Sequence, residues 1–155
     1  MHAVTVSVMM DEVAEKLGED RKEWMLVGLL HDLNCDCVKK DMSRHGVLAS
    51  DMLKGKISEK SICAIKAHDY RTGFKPSSRL DWALIATDSL ASSIEKNGKD
   101  VADLRLETFR ADLERLFAAQ PWHRDNVFKC EEIGVAFDEF LELCLSSLRR
   151  NLTTS

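Results

Sequence analysis

The sequence predicts an all-α, single-domain bundle of about seven or eight helices, on three observations. Apolar residues recur with the period of a helix along most of the chain. Its 155 residues include only 7 Gly and 2 Pro, too few for the many turns of an all-β fold. The chain is 45% hydrophobic and 31% charged, which suits one domain with a sizeable core and not a disordered segment.

The elements follow in order. His2, Val6, Met9 and Val13 fall at i, i+4, i+7 and i+11, predicting a first helix from residue 2 to about Leu17, with Gly18 as its stop. Val4, Val6 and Val8 alternate as in a strand, but the helical pattern persists through Leu17 after the alternation has failed. A second helix is expected from about Asp20 to Leu33, with Trp24, Val27, Leu30 and His31 close together on its surface, and a polar loop with Cys35 and Cys37 follows. Ser43 is a candidate cap for a third helix carrying His45, Leu48, Ala49 and Met52, ended by Gly55. Ser58 then caps a fourth, with Ile62, Ile65 and His68 in phase. Gly73 and Pro76 make residues 70–76 a loop, and Ser78 with Asp81 forms a capping box that opens a fifth helix to about Ile94. Beyond the break at Asn97-Gly98-Lys99, Leu106, Phe109, Leu113, Leu116 and Phe117 form one stripe; Phe137, Phe140, Leu141, Cys144, Leu145 and Leu148 form another. Residues 1–96 read as the core unit and residues 97–155 as C-terminal helices covering it, since so short a segment makes a poor independent core.

Composition narrows the function classes. With 22 basic and 26 acidic residues the net charge is −4, so no basic field exists for nucleic acid. No apolar run is long enough for a membrane span, and Asp11 and Glu12 interrupt what would be a signal peptide. Five cysteines cannot all pair within the chain, which predicts reduced thiols and a cytoplasmic location. Cys63, Cys130 and Cys144 read as small core residues, as do Met9 and Met25, and His123 after Pro121 reads as a structural or surface loop residue. Composition does not distinguish a monomer from a homo-oligomer.

The informative residues are polar ones placed where the core belongs. His2, His31, His45, His68 and Asp88 each fall in phase with an apolar stripe, and Asp32 directly follows His31. One such histidine is ordinarily a hydrogen-bonded core residue. Four of the five histidines in the same pattern are harder to explain one at a time. Buried carboxylates and imidazoles need partners, no basic residue is in phase to pair with them, and a shared cation satisfies all of them together.

In order, His2, the pair His31-Asp32 and Asp88 resemble the H…HD…D signature of the HD superfamily of metal-dependent phosphohydrolases. Gly28-Leu29-Leu30-His31-Asp32-Leu33, Arg44-His45-Gly46, Ala64-Ile65-Lys66-Ala67-His68 and Ala86-Thr87-Asp88-Ser89-Leu90 are similar to its small single-domain bacterial and archaeal members. The resemblance implies an HD-type helical bundle with His2, His31, Asp32 and Asp88 around one metal. It also implies that Asp32 bridges to a second metal held by His45 and His68. One or two divalent transition ions (Fe, Mn, Zn, Co or Ni) suit imidazole-rich ligation. The implied activity is hydrolysis of a small phosphorylated, nucleotide-like metabolite by metal-activated water. The sequence departs from the family pattern where Leu33-Asn34-Cys35 replaces an Ile-Gly-Lys segment, and where Asp69 follows His68 in place of a second His.

Lys39, Lys40 and Arg44 flank the expected site and are candidate phosphate ligands, as are Arg71, Lys75 and Arg79 around the loop at 70–76. Asp36 and Asp69 are candidate acid or base residues beside Asp32. A thiolate site at Cys35 and Cys37 would need two further ligands. The same six-ligand set also suits an HD-fold mixed-valent di-iron oxygenase, and a non-catalytic regulatory module is a third reading.

Overall fold

The structure is a computed structural model that describes residues 1–33 and 41–152. Eight α-helices form among the described residues, with no strand: α1 (His2–Leu17), α2 (Arg21–Leu30), α3 (Val47–Leu53), α4 (Glu59–Ala67), α5 (Arg79–Asn97), α6 (Leu106–Ala119), α7 (Pro121–Val127) and α8 (Phe137–Leu152).

Local chemistry sets most boundaries. The Asp20 carboxylate accepts from the backbone N–H groups of Lys22 and Glu23 and starts α2. Ser58 accepts from the Ser61 N–H and starts α4. At α5 the expected capping box is complete: the Ser78 hydroxyl accepts from the Asp81 N–H, and the Asp81 carboxylate accepts from the Ser78 N–H. Pro121 opens α7, where its missing N–H costs nothing.

Helix α1 lies at the centre, packed on α2, α5 and α8, while α5 also packs on α4, α7 and the 3₁₀ turn Phe128–Ile133. The interior is one continuous apolar cluster. It runs from Val6, Met9 and Val13 through Trp24 and Val27 to Leu84, Leu90, Phe140 and Leu148. Each such side chain taken out of water contributes about 1.5–3 kcal/mol. Phe109, Leu113 and Phe117 of α6 join the same cluster, so residues beyond 97 close over the first five helices.

Several expectations are corrected. Helix α2 ends at Leu30, not Leu33, with His31 as its C-cap; α5 continues past Ile94 to Asn97. The third helix starts at Val47, so His45 lies outside it, at the end of a short 3₁₀ turn, Met42–Arg44. Ser43 caps nothing there, because its N–H and hydroxyl both donate to the Asp41 carboxylate. The buried face of α3 is Ala49, Ser50 and Leu53, which leaves Met52 exposed. Met25 is exposed beside the buried Trp24, and Cys63 is exposed, whereas Met9, Cys130 and Cys144 are core residues. His123 lies in α7, not in a loop, and is fully buried.

Candidate functional site

Five segments bring His2, His31, Asp32, His45, His68 and Asp88 to one place. His2 is the first residue of α1, and Asp88 lies mid-way along α5. His31 and His68 are the C-cap residues of α2 and α4. Close backbone approaches hold these segments together. A Cβ on Gly28 would sit 2.9 Å from the Ser7 Cα, so its absence lets α2 press against α1. Gly46, at φ +75°, is tighter: a Cβ there would meet the Ile65 carbonyl oxygen at 2.3 Å and the His68 ring at 3.2 Å. His45 is thereby set against His68.

Asp32 is the hub of the cluster. Its Oδ1 lies 2.9 Å from His45 Nε2 and 3.9 Å from His68 Nε2. Its Oδ2 lies 3.4 Å from His31 Nε2 and 3.9 Å from His2 Nε2. Asp88 Oδ1 lies 2.9 Å from His2 Nε2 and 3.7 Å from His31 Nε2.

The tautomers of two rings follow from their partners. His31 Nδ1 is 2.7 Å from the Gly28 carbonyl oxygen, and His68 Nδ1 is 2.6 Å from that of Ile65. A carbonyl only accepts, so each Nδ1 carries the proton and each Nε2 turns a lone pair inward. Among the described residues, His31 Nε2 is buried with no hydrogen-bond partner, as is His45 Nδ1. The Nε2 atoms of His45 and His68 face each other at 3.1 Å. A proton on His45 Nε2 would be contested by the His68 lone pair and by Asp32 Oδ1. Orphaned and competing lone pairs of this kind are what a cation satisfies.

Charge follows the same geometry. Burial raises the Asp88 pKa, but the hydrogen bond from His2, with the histidines packed beside it, outweighs burial and holds the carboxyl far below its usual range. Burial opposes ionisation of Asp32 too, and is outweighed by His45 and His31. Burial lowers the His2 pKa, yet Asp88, Glu95 and Asp32 push it up to about 9. His31 is raised against its burial by Asp88, Asp32 and the Gly28 carbonyl. His68 is lowered to about 4 by burial and by the nearby His31. The carboxylates are therefore ionised and His68 is a neutral donor at neutral pH, whereas His2 holds a proton that a metal would have to displace.

Two donor groups could each hold a cation: His2, His31 and Asp88, and His31, Asp32 and His68, with donor atoms in each within 4.8 Å of one another. His45 flanks the second through Asp32 and His68. The mix of imidazole nitrogens and carboxylate oxygens fits a divalent transition ion.

The cluster forms the floor of a cleft of about 350 Å³. Asp69 and Arg71 line it together, with Arg71 Nε donating to Asp69 Oδ1 at 2.9 Å and Oδ2 at 3.0 Å. Burial pushes the Asp69 pKa up, but the guanidinium overrides this and keeps it below the usual range, so Asp69 is poorly suited to donate a proton. Lys75 lines a neighbouring cavity, Arg79 pairs with Glu19 at 3.6 Å, and Arg44 is exposed one residue before His45. Asp36, Lys39 and Lys40, with Cys35 and Cys37, lie outside the described residues.

Other cleft residues were not identified from sequence. Glu95 Oε2 lies 3.3 Å from His2 Nδ1. It stands two turns after Asp88 on the same face of α5, a spacing that could have flagged it. Tyr70, Trp122 and Asn126 also line the cleft, the last two from α7. No signal marks Trp122 and Asn126, because the docking of α7 on α5 decides their place. No family model, curated protein or solved structure matches the chain.

Proposed function

We propose that the cleft is the active site of a metal-dependent phosphohydrolase of the HD type, acting on a small phosphorylated, nucleotide-like metabolite. The observation that supports it most is the inward pair of lone-pair nitrogens, His31 Nε2 and His68 Nε2, each fixed by a backbone carbonyl and both facing Asp32. Carbonyl-oriented imidazoles around a shared carboxylate are the arrangement that holds metal ions in place.

His2, His31, Asp32, His45, His68 and Asp88 would hold one or two divalent ions. Bound metal supplies a water acidified toward neutral pH and positive charge for the phosphoryl oxygens. Asp32 turns one oxygen toward His45 and the other toward His31, so a single carboxylate lies between the histidines of the two donor groups. Glu95 faces the outer nitrogen of His2 and favours a proton there, so that a metal would take Nε2 in place of its hydrogen bond to Asp88. Asp69 orients Arg71, whose guanidinium offers donors to the phosphate. In the reaction the water oxygen bonds to phosphorus, the ester P–O bond breaks, and the leaving oxygen takes up a proton.

The test is metal analysis of the purified protein followed by phosphate-release assays on nucleotides and sugar phosphates with Mn, Fe, Co, Ni and Zn. Stoichiometric transition metal with metal-dependent release is the expected result. O₂ uptake with a di-iron EPR signal would replace hydrolysis by oxygenase chemistry. Nucleotide binding with no turnover under any metal would leave a regulatory module.

A further inference from the structure

A second cavity, of about 400 Å³, adjoins the cleft and shares His68, Tyr70 and Asn126 with it as walls. Its far side is apolar, built from Phe74, Pro76, Trp82 and Ile85. Two lysines, Lys75 and Lys129, line it, and a third, Lys66, lies over the Phe74 ring. Lys129 Nζ lies 5.1 Å from the centre of the Trp82 ring, and Lys66 Nζ lies 5.4 Å from that of Phe74. Lys75 lines the cavity directly. None of the three has a carboxylate within ion-pair distance among the described residues, whereas Lys60, Lys99 and Arg110 each have one.

The contrast with the cleft is chemical. There Asp32, Asp69, Asp88 and Glu95 gather negative charge around the histidines. Here an apolar wall stands beside ammonium groups without counter-ions. An apolar body fills such a wall, and a negative group on that body supplies the missing partner.

We propose that this cavity is the subsite for the leaving part of the substrate, which is a flat or apolar organic group bearing a second anionic group that pairs with Lys129. The assignment rests on the phosphohydrolase reading of the adjoining cleft. With phosphate at the histidine cluster, the ester oxygen lies by the shared wall of His68, Tyr70 and Asn126, and the body behind it extends over Trp82. The substrate class is then a phosphate monoester whose leaving part is a flat ring system carrying a further anionic group.

Two measurements on the full chain separate this proposal from the reading beneath it. The first is calorimetric titration of metal-free protein with 2-naphthoate and with its neutral counterpart, 2-naphthylmethanol. Naphthoate is expected to bind about tenfold tighter, the scale of one charge-assisted contact. Lys129→Ala should abolish that preference, Ile85→Trp should block both ligands by filling the cavity, and Lys54→Ala on the exposed surface should change neither. Absence of naphthoate binding, or a preference that survives Lys129→Ala, overturns the subsite.

The second measurement compares kcat/KM for 4-carboxyphenyl phosphate and phenyl phosphate in metal-loaded protein. An advantage of about tenfold for the carboxylated ester, lost in Lys129→Ala, supports the leaving-group assignment. Equal turnover of the two esters overturns it and leaves the phosphohydrolase reading intact. Naphthoate binding with no hydrolysis of any phosphate ester overturns the phosphohydrolase reading and the leaving-group role with it.

Discussion

His45 Nε2 and His68 Nε2 face each other at 3.1 Å, although the Ile65 carbonyl already holds the only proton of a neutral His68 on its other nitrogen. Two ring nitrogens this close need a proton on His45 Nε2 to share, or a cation beside them, to avoid repulsion. The backbone nevertheless enforces the approach, through Gly46, where a Cβ would collide with the Ile65 carbonyl oxygen.

That glycine gives the first prediction. Gly46→Ala places a Cβ 2.3 Å from the Ile65 carbonyl oxygen at a φ of +75°. Gly55→Ala imposes a similar φ of +74° but meets nothing within 4 Å. Urea denaturation is expected to show a loss of about 1 kcal/mol for Gly55→Ala, from backbone strain alone. Gly46→Ala is expected to lose about 3 kcal/mol or more, because the segments themselves must separate. Equal losses would mean that the close approach carries no energetic weight.

Asp32 is the second target. On the proposed function, Asp32→Ala removes the one carboxylate that faces all four site histidines. Metal affinity is expected to fall by more than the roughly 10–100-fold that loss of an outer-sphere partner costs. Metal content by mass spectrometry after gel filtration measures this, with His31→Ala behaving alike and His123→Ala unchanged. Added Mn or Zn raises the melting temperature of the wild type and not of Asp32→Ala. Full activity in metal-free Asp32→Ala protein would end the enzyme reading.

A third prediction concerns pH and His123. The Lys96 ammonium lies 2.6 Å from His123 Nε2, and Ser89 Oγ lies 3.1 Å from Nδ1. An ammonium only donates, so the ring is neutral, accepting from Lys96 and donating to Ser89. Burial, and then the Lys96 charge, lower its pKa to about 4 from the ordinary 6.5 of a histidine. Between these values the unfolded chain binds the proton that the folded protein refuses. Stability from this group is therefore complete above pH 6.5 and is lost as pH falls toward 4. Relative to His123→Asn, the wild type is expected to lose about 1–2 kcal/mol across that window in urea titrations. A gap independent of pH would refute the neutral assignment.

Asp81 gives a fourth. It is buried at the start of α5 and accepts from the N–H groups of Ser77 and Ser78 and from the Ser78 hydroxyl. Asp81→Ala leaves those donors without a partner and is expected to cost about 2 kcal/mol in chemical denaturation. Because α5 also carries Asp88 and Glu95, amide exchange in its first turns should accelerate in the same variant.

The helical fold was legible because period and punctuation agreed. Gly18, Ser58, and Ser78 with Asp81 bound the helices that the apolar stripes implied, and each cap is formed by its own residues. The four site histidines and Asp88 were legible for a related reason, since polar residues in phase with core residues must point inward. What failed was detail that periodicity does not contain. His45 is in phase with Leu48 and Ala49, but Gly46 turns the backbone between them, so the shared phase does not reflect a shared helix. Met25, Met52 and Cys63 sit one step off the buried faces of short helices, where a stripe is too brief to fix its own centre. Trp122 and Asn126 reach the cleft only through the docking of α7 on α5, which no local pattern encodes.

Gly28 links the hydrophobic interior to the polar centre. It sets how near α1 and α2 come, and its carbonyl aims the His31 ring. Interior substitutions at Ser7 or Met10, out of reach of any ligand, would then surface as weakened ion affinity before they register as unfolding. Selection on this chain would act on its dry contacts and its chemistry as a single trait.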